Sequence, residues 1–193
     1  DRPELIEPAK QVLALLSAPG AVMRGVASHA LPVDSDSRLE LLRREDAPDL
    51  VTVPVWAPSI SKPLHELVEE RHRVSELRKA GLGPSRSALF VGPPGVGKTM
   101  AARWLSRELG MPLLTLDLAA VMSSYLGRTG NNIRAVLDFA RRSPSVLLLD
   151  EFDAIAKRRD DSAEVGELKR LVTVLLQAVD EWPSDGLLLA ATN

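Results

Sequence analysis

The chain contains no cysteine, which excludes disulfides, thiolate metal sites and a cysteine nucleophile together and fits a reducing, cytoplasmic setting. Aromatic residues are scarce, 4% of the sequence with Tyr125 as the single tyrosine, so little material exists for the stacking platforms that single-stranded nucleic acid uses. Neither sign of charge prevails: 24 basic residues stand against 26 acidic ones, a net of −2. No global basic field therefore points to nucleic acid. No apolar run reaches the roughly eighteen residues that span a bilayer, and the opening Asp1-Arg2-Pro3-Glu4 does not read as a signal peptide. What remains is ordinary: 45% apolar and 26% charged residues over 193 positions, enough for one buried core plus a smaller piece.

Against that background one stretch stands out. Gly92-Pro93-Pro94-Gly95-Val96-Gly97-Lys98-Thr99 matches G-x-x-x-x-G-K-[ST] at every fixed position. The apolar run Ala88–Val91 before it reads as a buried strand, and Met100–Leu105 after it reads as a helix. A glycine-rich turn between strand and helix aims several backbone N–H groups at one point, where the helix dipole adds positive potential. That point suits a nucleotide polyphosphate. Lys98 would reach the β- and γ-phosphates and the Thr99 hydroxyl would ligate Mg²⁺.

Residues 4–17 carry Leu5, Ala9, Val12, Leu13 and Leu16 at helical spacing, and a second short helix is expected over Arg38–Arg44. A stretch broken by Pro48, Pro54, Pro58 and Pro63 reads as a linker with at most an edge strand at Val51, Val53 and Val55. Helical pattern resumes at Leu64 and runs to Lys79, closed by Gly81-Leu82-Gly83-Pro84. From there strands at 87–91, 113–117, 145–149 and 186–191 alternate with helices at 98–109, 131–141 and 166–180. Such alternation predicts parallel strands with crossover helices, hence a three-layer α/β domain. The expected organisation is a small, mostly helical N-terminal region with a proline-rich linker over residues 1–63, then a core over 64–193. Glu66, Glu69 and Glu70 with Arg71 and Arg73 read as a solvated, ion-paired helix face. Trp104 and Trp182 read as packing residues, and His65-Glu66-Leu67-Val68-Glu69 lacks the second histidine of a zinc motif.

A second constellation follows the run Val146–Leu149, which ends in Asp150-Glu151. A strand buried on both faces reads this way, and ligands of open α/β sheets sit at the carboxyl ends of strands. Asp150 would then hold the Mg²⁺ shell, while Glu151 orients or deprotonates the water that attacks the γ-phosphate. An Asp-Glu pair opening a helix also serves capping alone. Asn193 follows another apolar strand; an amide there could hydrogen-bond the attacking water or the γ-phosphate, but for a lone Asn at a strand end a turn residue is the commoner reading.

These residues together resemble the AAA family of P-loop ATPases, in its protein-remodelling branch. Gly92–Thr99 resembles Walker A, with Met100 following in the nucleotide-binding set. Leu147–Ile155 is similar to Walker B and the turn after it, and Ala191-Thr192-Asn193 to sensor 1, which makes Asn193 a γ-phosphate sensor and, with Lys98 and Glu151, part of the catalytic set. Ser124-Tyr125-Leu126-Gly127 with Asn132-Ile133-Arg134 is similar to the substrate-gripping pore loop, and Ala156–Gly166 falls where a second pore loop is found. The match covers about residues 64–193. Val96 departs from the commoner threonine and is expected to pack, as is Phe152 in place of isoleucine or leucine. Arg128 and Gly130 replace acids, so the loop is expected to prefer acidic or neutral segments, and charge reversal at Arg128 to alter that preference.

The resemblance implies ATP and Mg²⁺ as ligands and identical subunits in a ring, expected to be a homohexamer. It also implies protein clients and a possible protease or adaptor partner; no membrane segment is expected from the apolar runs, and nucleic acid is not the expected partner. Its arginine fingers, fifth core strand and helical lid would follow Asn193. Residues 1–193 alone are therefore expected to be poorly stable and to turn over little ATP. The competing reading is a nucleic-acid-associated ATPase of helicase-loader or clamp-loader type, to which the near-neutral charge and few aromatics give little support; a nucleotide-gated scaffold is the third.

Overall fold

The computed structural model describes residues 30–34, 37–50, 52–118, 121, 129–154 and 165–193. The chain divides into two compact units, Asp1–Ala30 and Leu31–Asn193, and the description below concerns the second. The helix expected over 4–17, the loop residues Tyr125, Leu126 and Gly127, and most of Ala156–Gly166 lie outside the described residues.

Five strands form one sheet among the described residues: β1 (Arg43–Glu45), β2 (Ser87–Val91), β3 (Leu113–Asp117), β4 (Val146–Asp150) and β5 (Leu187–Thr192). Their order across the sheet is β1-β3-β4-β5-β2. The last four are mutually parallel, and β1 runs antiparallel along β3. Among the described residues the helices are α1 (Pro58–His72), α2 (Val74–Lys79), α3 (Lys98–Leu109), α4 (Thr129–Ala140) and α5 (Val165–Asp180).

Side-chain alternation along each strand divides the core in two. Leu113, Val146, Leu148, Leu187 and Leu189 pack with Leu64 and Val68 of α1 and Ala102, Trp104 and Leu105 of α3. Leu114, Leu116, Leu147, Leu149 and Leu188 pack on the other face with Ile133, Val136 and Leu137 of α4 and Leu171 and Leu175 of α5. Both faces of the sheet are covered, so β4 must be apolar along its buried length, and Val146–Leu149 are at most 1% exposed. Each such buried leucine contributes about 2 kcal/mol. This is the three-layer αβα architecture of a P-loop nucleotide-binding domain. Strand β2 closes one side of the sheet, with Leu89 and Val91 59% and 71% exposed.

Three local expectations are corrected. Arg38–Arg44 is not helical. Ser37 N and Oγ donate to Asp34 Oδ1 at 2.8 and 3.0 Å, Arg38 takes a left-handed φ of 60°, and Val33 bridges Glu40. The left-handed Arg38 turns the chain out of helical space, and the outer edge of β3 takes Arg43–Glu45 as a partner. Second, the helix expected from Leu64 begins at Pro58, with proline in its first turn and Pro63 inside it. A proline at the first helical position gives up a donor that has no intrahelical acceptor anyway. Val53 and Val55 are 83% and 96% exposed and belong to no strand, within the expectation of a linker with at most an edge strand.

Third, Arg71 leaves the solvated face. Its Nη1 donates to Ser85 O at 2.9 Å and its Nη2 to Gly186 O at 2.7 Å, while Glu70 Oε2 accepts Ser85 N at 2.6 Å. Burial pushes the Arg71 guanidinium below its usual range, against an upward pull from Glu70. The remaining charges behave as expected, with Arg73 paired to Glu76 at 2.6 Å and to Glu69 at 4.0 Å. Trp104 and Trp182 are buried, and Phe152 packs against the α4–α5 core.

Candidate active site

The glycine-rich loop leaves the carboxyl end of β2 and enters α3 through a backbone that only glycine takes easily. Gly95 and Gly97 have φ of 82° and 98°, and Gly97 is the N-cap of α3. Ala101 N donates to Gly97 O at 2.9 Å, so the helix's first free N–H groups lie at Lys98, Thr99 and Met100. Gly92 is tied to the neighbouring strand by Gly92 N donating to Thr192 O at 3.2 Å. A Cβ at Gly92 would lie 3.2 Å from Val96 Cγ2. Val96 itself is 55% exposed, so it leans over the loop instead of packing as expected. Pro93, Pro94 and Met100 are exposed beside it.

Lys98 folds back over this loop. Its Nζ donates to Gly92 O at 2.5 Å, Pro93 O at 3.1 Å and Asn193 Oδ1 at 2.9 Å. The last contact brings together residues 95 positions apart, because β5 lies directly beside β2 and both end at the same height. Lys98, the loop and Asn193 thus meet at one point. Thr99 Oγ1 donates to Asp150 Oδ2 at 3.4 Å, joining the start of α3 to the end of β4. A hydroxyl and a carboxylate meeting beside a phosphate loop form an oxygen donor set of the kind that Mg²⁺ takes, so these two residues fit that ion.

Glu151 is exposed and has φ of 52°, a left-handed conformation that costs an ordinary residue about 1–2 kcal/mol. Its neighbours hold it there. Glu151 N donates to Asp150 Oδ1 at 2.9 Å, Ala154 N donates to Glu151 O at 2.9 Å, and Phe152 N donates to Ala191 O at 2.8 Å. The chain turns sharply after β4 and leaves the Glu151 carboxylate in solvent, beside the point where Thr99 and Asp150 meet.

A cavity of 520 Å³ adjoins these groups, and Glu45, Arg103 and Asp117 line it with Thr99, Asp150 and Glu151. The sequence reading left these three out. Arg103 could have been found from its spacing, since it follows Thr99 by four positions and so shares its helix face. Asp117 pairs in register with Asp150 across adjacent strands, a position readable only once the strand order is known.

The sheet, the loop and the helix it opens define a P-loop nucleotide-binding protein. The family model described as "ATPase family associated with various cellular activities (AAA)" matches residues 88–193, and the chain belongs to that family. It is 50% identical over 127 residues to an uncharacterized AAA family ATPase, y4kL, of Sinorhizobium fredii, covering 66% of this chain and 38% of that protein. It is also similar to the proteasome-activating nucleotidase of Methanopyrus kandleri, at 32% over 170 residues, and to 26S proteasome regulatory subunit 6A of Saccharomyces cerevisiae, at 31% over 172 residues. In both cases 84% of this chain and 39% of the relative are covered. The chain thus spans about two fifths of the length of these curated relatives.

Proposed function

We propose that this chain is the nucleotide-binding part of an ATPase that hydrolyses ATP with Mg²⁺ and uses the cycle to remodel protein clients in a ring of identical subunits. The observation that carries the chemical part is the convergence of Lys98 and Asn193 at 2.9 Å beside a phosphate loop, with Thr99 and Asp150 meeting next to it. Nucleotide phosphate oxygens would take the place of the Gly92 and Pro93 carbonyls as partners of Lys98 Nζ. The N–H groups at the start of α3 would hold the same phosphates. Mg²⁺ held at Thr99 and Asp150 would offset charge on the phosphates. Glu151, fixed by its strained turn and open to solvent, would orient the attacking water and accept its proton. Asn193, already beside Lys98, would report on the γ-phosphate.

The remodelling part rests on two supports: the likeness to proteins named for proteasome activation and regulation, and the sequence Tyr125-Leu126-Gly127 preceding α4. A ring would set several such loops around one channel, each moved by its own subunit's nucleotide state. The full-length protein and its Tyr125→Ala variant test this through ATP hydrolysis and ATP-dependent unfolding of a tagged fluorescent reporter, followed together. Retained hydrolysis with lost unfolding is the expected result. Unfolding by the variant at the wild-type rate would refute the gripping role, and stimulation by DNA with no unfolding by either protein would favour a nucleic-acid ATPase.

A further inference from the structure

The helix that carries Thr99 and the helix that follows the Tyr125 segment lie on opposite faces of the sheet: α3 packs with Leu113 and Leu148, α4 with Leu114 and Leu147. Residues 31–34 and 37–45 lie at the edge of the sheet between them. They form a hairpin, closed by Leu41 N donating to Pro32 O and Asp34 N donating to Leu39 O, both at 2.9 Å. Its outgoing limb is β1, paired along β3.

Both ends of this hairpin are bonded to helices. Glu45 holds Arg103 of α3 with both carboxylate oxygens, Arg103 Nε donating to Oε2 at 3.1 Å and Nη2 to Oε1 at 3.1 Å. Arg103 shares a face of α3 with Thr99. At the turn, Asn132 Nδ2 of α4 donates to Asp34 Oδ2 at 2.6 Å, with the two residues 8% and 7% exposed. Ser37 supplies two further donors to the same carboxylate. Asn132 lies in the first turn of α4, where the positive end of the helix dipole favours a carboxylate. A two-pronged ion pair and a buried charged hydrogen bond are directional and tolerate little stretching, so a shift of α3 must either move the hairpin or break a bond.

We infer that the hairpin formed by residues 31–34 and 37–45 is a coupling strut: Glu45 and Asp34 are positioning residues that carry a nucleotide-dependent displacement of α3 around the sheet edge to α4. The inference rests on the nucleotide reading given above. Hydrogen–deuterium exchange on the full-length protein, with and without ADP and Mg²⁺, separates the two. In the wild type, nucleotide is expected to slow exchange over residues 98–109 and also over 129–140. In Glu45→Gln and Asp34→Asn the effect at 98–109 stays, the affinity for a fluorescent ADP analogue stays within about twofold, and the effect at 129–140 falls by at least about fivefold, the lower end of common coupling strengths. The paired reversal Glu45→Arg with Arg103→Glu is expected to restore it. Burial puts the fold of the Asp34 variant at risk, whereas Glu45 is partly exposed, so Glu45→Gln alone decides the matter if the other fails to fold. Unchanged protection at 129–140 in a folded Glu45→Gln variant overturns the strut, as does a wild type in which nucleotide protects 98–109 alone. A wild type with no nucleotide effect anywhere overturns the nucleotide reading and the strut with it.

Discussion

Replacing Glu151 with glycine should make the protein more stable while ending hydrolysis. Glu151 is held at φ of 52°, where an L side chain loses about 1–2 kcal/mol to contact with the following carbonyl. Glycine removes that penalty but loosens the unfolded chain, at a cost of about 0.5–1 kcal/mol. The exposed carboxylate makes little packing contribution to lose. The net expectation is a gain of about 0.5–1 kcal/mol, or roughly 1–4 °C in Tm for a domain of this size. Glu151→Gln is the control, since it keeps the backbone penalty and loses only the charge. Thermal unfolding followed by circular dichroism at matched pH compares the two, with ATP hydrolysis measured alongside. Both variants should be inactive and only the glycine variant stabilised. If Glu151→Gly melts at or below Glu151→Gln, the turn after β4 stores no strain and the argument that the backbone fixes this carboxylate fails. The trade of stability for a poised side chain is common at active sites.

Two further outcomes follow from the packing. Arg71→Ala removes both guanidinium bonds to the Ser85 and Gly186 carbonyls and should cost about 2–3 kcal/mol, read as a Tm drop of roughly 4–12 °C; an unchanged Tm would return Arg71 to the solvated face. Gly186→Ala places a Cβ 3.0 Å from Trp182 Nε1 and 3.4 Å from Ser145 O and should destabilise by about 1–3 kcal/mol; chemical denaturation showing less than about 0.5 kcal/mol would mean the Trp182 ring yields freely.

Much of the core was legible because its signals are local and repeated. A strand covered on both faces must be apolar along its buried length, so Val146–Leu149 and Leu187–Leu189 announce themselves. The glycine loop announces the junction of β2 and α3 for a similar reason, since its left-handed residues must be glycine. The meeting of Asn193 with Lys98 was not readable from either residue, because it depends on β5 lying beside β2. Arg38–Arg44 suggested a helix, whereas the conformation there is fixed by distant partners, the edge of β3 and the amide of Asn132 that holds Asp34. Arg71 was misread for the same reason: its acceptors are carbonyls of two loops, one of them 115 positions away. Pro58 and Pro63 suggested a break, yet Leu64 and Val68 supply buried contacts that hold α1 together.

The central claim is that Lys98 and Glu151 do different things at one nucleotide site. Equilibrium binding of ATP with Mg²⁺ and single-turnover hydrolysis, measured side by side on the full-length wild type, Lys98→Ala and Glu151→Gln, test it most directly. The account predicts that Lys98→Ala loses binding, whereas Glu151→Gln binds ATP as the wild type does and leaves it uncleaved. Equal loss of binding in both variants, or hydrolysis by Glu151→Gln at the wild-type rate, would contradict it.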